Sequence, residues 1–130
     1  MNADRNLQLL GIAKKAGMLA VGGDAVCTAA QTGKARLVIS AIDAAPGSLR
    51  RARYATEIGR AQHVTVPYTK FELGSVVGRG SPGTIAVLDT GLAAGFVSKL
   101  AETDPERYGD AAKKLAEKAD ALAKKRRSAK

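Results

Sequence analysis

Five places in the chain hold residue types that could do chemistry. Gly22-Gly23-Asp24-Ala25-Val26 sets two glycines before a predicted helix. Backbone N–H groups left free there, at the positive end of the helix dipole, could receive a phosphate or a nucleotide edge. The same glycines also suit a plain strand-to-helix turn that needs their dihedral freedom. Gly78-Arg79-Gly80-Ser81-Pro82-Gly83 is a glycine-rich loop that lets backbone approach a ligand closely, or serves only as a flexible connection. It lacks the Gly-Lys-Ser/Thr ending of an ATP-binding phosphate loop and precedes a strand, which excludes that reading. Lys124-Lys125-Arg126-Arg127, with Lys130 beyond, is either a solvated tail or an anchor on phosphates. His63 has no Asp, Cys or second His beside it, and Cys27, between Val26 and Thr28, is expected to be a small buried thiol. No nucleophile with a base, no metal-ligand set and no Walker motif emerges, so the expectation is a chain that is not an enzyme, with no cofactor and no metal.

Charge narrows the partner. The formal net charge is +9, and residues 113–130 hold eight Lys/Arg against Glu117 and Asp120. Such a field attracts polyanions: nucleic acid, an acidic membrane surface or an acidic protein. A single cysteine excludes an internal disulfide and fits a reducing compartment. The N-terminal pattern, interrupted by Lys14 and Lys15, is neither a signal peptide nor a bilayer span, so the protein is expected in the cytoplasm, away from membranes. With few aromatics and no motif of the kind that builds base-stacking sheets, structured RNA is a better target than single strands.

The elements that must position these residues follow from periodicity. Leu9, Leu10, Ile12 and Ala13 recur with helical spacing up to a stop at Ala16-Gly17. A short strand is predicted over 18–21 and a helix over 25–32. Leu37 to Ile42 is a continuous apolar run, as in a central strand covered on both faces. Ser48 is expected to cap a helix that runs to about Ile58, with Arg50, Arg51, Arg53 and Arg60 outward. Strand 63–66, helix 69–77, strand 84–88 and helix 91–100 complete an alternation that implies a three-layer α/β/α sandwich. Asp104-Pro105 starts a further helix whose stripe, mostly alanine, offers little to a core and leaves it free to detach or fray. The division expected is 1–103 for the domain and 104–130 for a basic helical extension.

The order of motifs resembles the kink-turn RNA-binding superfamily of ribosomal proteins, the L-seven-Ae and L-thirty-e type, and most of all its small bacterial members of YlxQ type. The stretches that carry the likeness run in order over residues 7 to about 100: Leu10 to Gly17, which includes Lys15; Gly22 to Asp24; Gly33 to Ile39; Asp43 to Pro46; Val66-Pro67 with Lys70 and Glu72 to Gly74; Gly78-Arg79; and Ala86 to Asp89. The resemblance implies a four-stranded mixed sheet and an RNA face made by the Gly22 turn, the turn after Asp43 and the loop 78–83. The family's contact turn reads Gly-x-Asn-Glu-x-x-Lys/Arg. Here Gly22 keeps its first position, Asp24 replaces Asn, Ala25 replaces Glu and Thr28 replaces the cation. An acid at the Asn position accepts but does not donate, so weaker binding of standard kink-turns is expected. Lys70 matches a family lysine near the RNA, Pro82 is retained, and Ser81 stands where an arginine is frequent.

The reading is a monomeric, non-catalytic protein that recognises a bent or looped element of ribosomal or other noncoding RNA, with the ribosome a candidate partner. Its expected contacts are Lys15, Gly22, Gly23, Asp24, Thr28, Lys70, Arg79, Ser81, Pro82 and Gly83. Lys124, Lys125, Arg126 and Arg127 would add attraction that does not depend on sequence. The alternative is a protein-interaction module on the same fold with weak or no kink-turn binding.

Overall fold

Alternation along the two inner strands sorts the core onto the two faces of one sheet. The computed structural model describes residues 5–78 and 80–128, with backbone only at 127 and 128. Its elements in order are α1 (Arg5–Lys15), β1 (Leu19–Val21), α2 (Gly23–Gln31), β2 (Leu37–Ser40), α3 (Pro46–Gly59), β3 (Gln62–Thr65), α4 (Lys70–Val77), β4 (Thr84–Val87), α5 (Thr90–Thr103) and α6 (Pro105–Ser128). The strands lie in the order β1-β4-β2-β3. β2 and β3 are parallel, while β4 is antiparallel to both β1 and β2. The run from Leu37 is therefore interior, as its unbroken apolar character requires.

Leu37, Ile39, Ile85 and Val87 point to a face covered by α1, α4, α5 and α6, where Leu10, Leu73, Phe96 and Leu100 fill the space. Val38 and Ala86 point the other way, onto α2 and α3. That second layer is built mostly of alanine (Ala29, Ala30, Ala52 and Ala55), so its two helices approach closely. A Cβ added at Gly59 would lie 3.2 Å from the Ala30 Cα, so a side chain there would require the two helices to give by a few tenths of an ångström.

Two local expectations are corrected. Ser48 does not cap α3: the N-cap is Ala45, with Pro46 in the first turn, and Ser48 sits inside the helix. Proline at that position loses no helical hydrogen bond, which lets α3 begin three residues earlier. Nor does α6 detach. Tyr108 and Leu115, seven residues apart on one helical face, are 3% and 0% exposed, and the Tyr108 hydroxyl donates to the Thr65 carbonyl at 2.6 Å. Two large side chains outweigh the alanines between them, because full burial of each is worth about 1.5–3 kcal/mol. Asp104 does take the predicted cap position: its Oδ1 accepts from the Arg107 N–H at 3.2 Å. Among the described residues no helix is long and apolar enough to cross a membrane.

Candidate nucleic-acid interface

The sheet has two ends, and the predicted contact residues divide between them. At one end β1 leaves the sheet, β2 leaves it, and β4 begins. Gly22, at φ 96° and ψ 157°, turns the chain from β1 into α2 in a conformation that favours glycine strongly, and its N–H donates to the Thr84 carbonyl at 3.0 Å. No side chain caps α2. The bond to Thr84 fixes the Gly22 turn against the loop that precedes β4. Val21, Gly22, Gly80, Ser81 and Pro82 accordingly line one shallow depression of about 280 Å³.

Gly83 ties this loop to α3. Its carbonyl accepts from the Ala41 N–H at 3.0 Å, and a Cβ on it would meet the Ser48 Oγ at 3.1 Å. The turn after β2 closes the same end. Asp43 Oδ1 accepts from the Lys70 N–H at 2.8 Å, next to a capping box in which Thr69 and Glu72 satisfy each other's backbone. Gly22, Gly23, Asp24, Lys70, Ser81, Pro82 and Gly83 are thus brought together, with Thr28 one turn further along α2.

The chemistry of this end is more backbone than charge. Asp24 is fully exposed in the first turn of α2 and lies 3.6 Å from Arg51 of α3, whose side chain is 64% exposed. Solvent screens such a pair, so it orients the two groups more than it holds the fold. The Thr28 hydroxyl donates back to the Asp24 carbonyl at 3.0 Å, which leaves its oxygen free to accept. Sequence reasoning missed Arg51 as a partner of Asp24, since only the packing of α2 on α3 brings them together. It also missed two apolar groups: Phe71 and Ile42 are 76% and 56% exposed, on segments joined by the Asp43–Lys70 bond and by an Ile42 N–H to Tyr68 carbonyl bond. Exposed aromatic and aliphatic side chains on a polar rim were the available signal.

The remaining predicted contacts lie elsewhere. Lys15 ends α1 near the other end of the sheet, where the Leu88 N–H donates to the Met18 carbonyl. Arg126 is there too, lining a cleft with Arg36, Leu88 and Asp89. Lys124 and Lys125 are exposed on the same turns of α6, and Arg127 belongs to that helix by its backbone. Arg79 lies outside the described residues, as does Lys130.

Two groups without an assigned role are also placed. Cys27 is only half-buried, between buried Val26 and exposed Thr28 on α2. His63 Nε2 lies 2.8 Å from Ser40 Oγ. Burial, and then the neighbouring Arg53 charge, lowers the His63 pKa from its ordinary value, which keeps the ring neutral at pH 7. Ser40 is 0% exposed, so the pair satisfies a buried hydroxyl and offers no attacking group to solvent.

No family model and no curated protein sequence matches this chain. Solved structures do. A protein of unknown function from Bacillus halodurans is similar at 26% identity and a TM-score of 0.66, over 74% of this chain and 96% of that one. The Giardia lamblia 15.5kD RNA binding protein is similar at 19% identity and a TM-score of 0.59, over 76% of this chain and 90% of that one. The fold is shared with both.

Proposed function

We propose that the loop end of the sheet binds a bent or looped RNA, and that the chain is a non-catalytic member of the kink-turn superfamily close to the YlxQ type. The observation that carries this reading is the convergence of the Gly22 turn and residues 80–82 on one depression, at the end of the sheet where Arg51 meets Asp24 and the Lys70 N–H meets Asp43. Such a surface offers backbone donors and close approach, which suit the irregular outline of a looped RNA rather than a regular groove. Phe71 adds a face on which one unpaired base stacks. The Giardia neighbour, whose name states RNA binding, supports the same direction. Ribosomal or other noncoding RNA in the cytoplasm is the proposed target.

One observation favours a modified recognition over the standard kink-turn mode. The exposed Asp24 carboxylate, held near Arg51, places negative charge where RNA phosphates would pass. Filter binding against a kink-turn RNA, a scrambled stem of equal length and a DNA stem tests the reading. It expects both RNAs to bind and the bent RNA to be preferred. Equal retention of all three would remove it and leave the protein-interaction alternative.

A further inference from the structure

The other end of the sheet, where β2 and β3 begin and β4 finishes, carries a different surface. Two clefts of about 300 and 260 Å³ run under α6 and share Arg36, Thr90 and Leu122, so they form one groove. Arg36 and Arg60 stand on one wall, from the connections into β2 and β3. Lys118 and Arg126 stand on the other, from α6. The single acid on the lining is Asp89, whose Oδ2 is taken by the Leu92 N–H at 2.9 Å as the cap of α5. None of the four cations takes part in an ion pair among the described residues.

We propose that this groove is a second RNA-binding site, which takes the phosphate backbone of an RNA helix at the end of the sheet opposite the loops. The reading is independent of the one made for the loop end. Four cations on two facing walls, against the single carboxylate of Asp89, call for an anionic occupant. Lys118 and Arg126 are eight residues apart along α6, which is a rise of about 12 Å. One free phosphate cannot meet both, whereas a strand of phosphates can. Arg60 adds a separate sign. At φ 53° it is the only non-glycine residue with positive φ among those described, and it closes α3 where glycine is the favoured residue. An arginine held in that conformation is kept against a backbone cost, which its position on the groove wall explains. Leu122, 39% exposed between the cations, gives the groove an apolar floor for ribose faces. Taken with the loop-end site of the proposed function, on which this last step alone rests, the protein joins two RNA segments.

The test uses the full chain and a blunt RNA duplex without bulge or loop. The variant Arg36→Ala, Arg60→Gly, Arg126→Ala should weaken duplex binding at least tenfold. It should also flatten the slope of log affinity against log salt by about 0.7–0.9 for each lost phosphate contact. A charge-matched variant away from the groove, Arg5→Ala, Lys99→Ala, Lys113→Ala, should change affinity less than twofold. Lys70→Ala at the loop end should leave duplex binding unchanged, so the two sites fail separately. Arg60→Gly alone should raise the melting temperature while it weakens the duplex, a pair of opposite signs that damage to the fold cannot produce. An equal loss in the charge-matched variant would mean a diffuse field and overturn the proposal. So would displacement of the duplex by polyglutamate at equal charge concentration, or Arg60→Gly with unaltered affinity.

Discussion

The two ends of the sheet present opposite kinds of surface on one scaffold. The loop end is made by glycines at special dihedrals and by short polar bonds between turns, with its one close acid–base pair exposed to water. The α6 end is made by long cationic side chains over an apolar floor, two on regular helix and two on the connections into β2 and β3. Shape fixed by backbone selects among ligands, while cations on flexible stems attract phosphates with little selection. The difference teaches that net charge locates only half of a nucleic-acid surface: the residues proposed to choose the RNA contribute little to the +9.

Breaking the α6 end should produce the largest effect. Leu115 is fully buried, and Leu115→Ala should destabilise the protein by about 2–5 kcal/mol, seen as a lower midpoint in urea. Under conditions where the variant stays folded, preference for bent RNA at the loop end should persist. Loss of that preference with the fold intact would show that the two ends are coupled. For the same reason a chain cut at Glu102 would lose Tyr108 and Leu115 from the core, so charge substitutions probe α6 better than truncation does.

At the loop end, Gly22→Ala isolates backbone conformation, because no neighbour lies within 4 Å of the added Cβ. Placing alanine at φ 96° should cost about 1–2 kcal/mol, measured by thermal unfolding. An unchanged midpoint would mean that the turn relaxes freely, and the depression beside Ser81 and Pro82 would then lack its stated rigidity.

Asp24→Asn sharpens the contrast in the opposite direction. Removing an acid near phosphates and restoring a donor should tighten binding to a standard kink-turn by about threefold to tenfold, a gain of the size of one good hydrogen bond. Equal or weaker affinity would place Asp24 away from the RNA. Since Gly22 is the N-cap and Asp24 follows within the first turn, loss of a cap is not the cause of any weakening.

The smallest effect concerns pH. His63 has its pKa lowered in the fold, by burial first and by Arg53 second. Below its ordinary value of 6.5 the unfolded chain takes up the proton more readily than the folded one. The stability it contributes is therefore whole above pH 6.5 and is lost as the pH falls through the lowered folded value. His63→Gln should flatten the stability curve between pH 7 and pH 5 in urea titrations. A slope equal to that of the wild type would assign the acid sensitivity to carboxylates instead.

Much of the fold was legible in the sequence because its signals are local. The apolar run from Leu37, the strand–helix alternation and the stops at Gly17, Gly33 and Gly78 all act within a few residues. Proximity of the Gly22 turn to the 80–83 loop came from the resemblance, since the two are far apart in sequence and are joined by the β1–β4 pairing and the Gly22–Thr84 bond beside it. What stayed hidden depends on packing between distant segments. Arg36 and Arg60 looked like scattered surface charge until α6 lay across them, and α6 looked detachable because two large side chains were weighed against many alanines. The Ser40–His63 bond needed the parallel register of β2 and β3, which no local pattern states.

The central claim is that the loop end meets the structured RNA. Ultraviolet crosslinking of the full chain to a bent RNA, followed by mass spectrometry of the crosslinked peptides, tests it most directly. The account predicts adducts in the peptides that carry Gly22 to Thr28, Lys70-Phe71 and Gly80 to Gly83, suppressed by unlabelled bent RNA and little affected by a plain duplex. Adducts confined to α6 and the segments around Arg36 and Arg60, with the loop peptides unmodified, would contradict it.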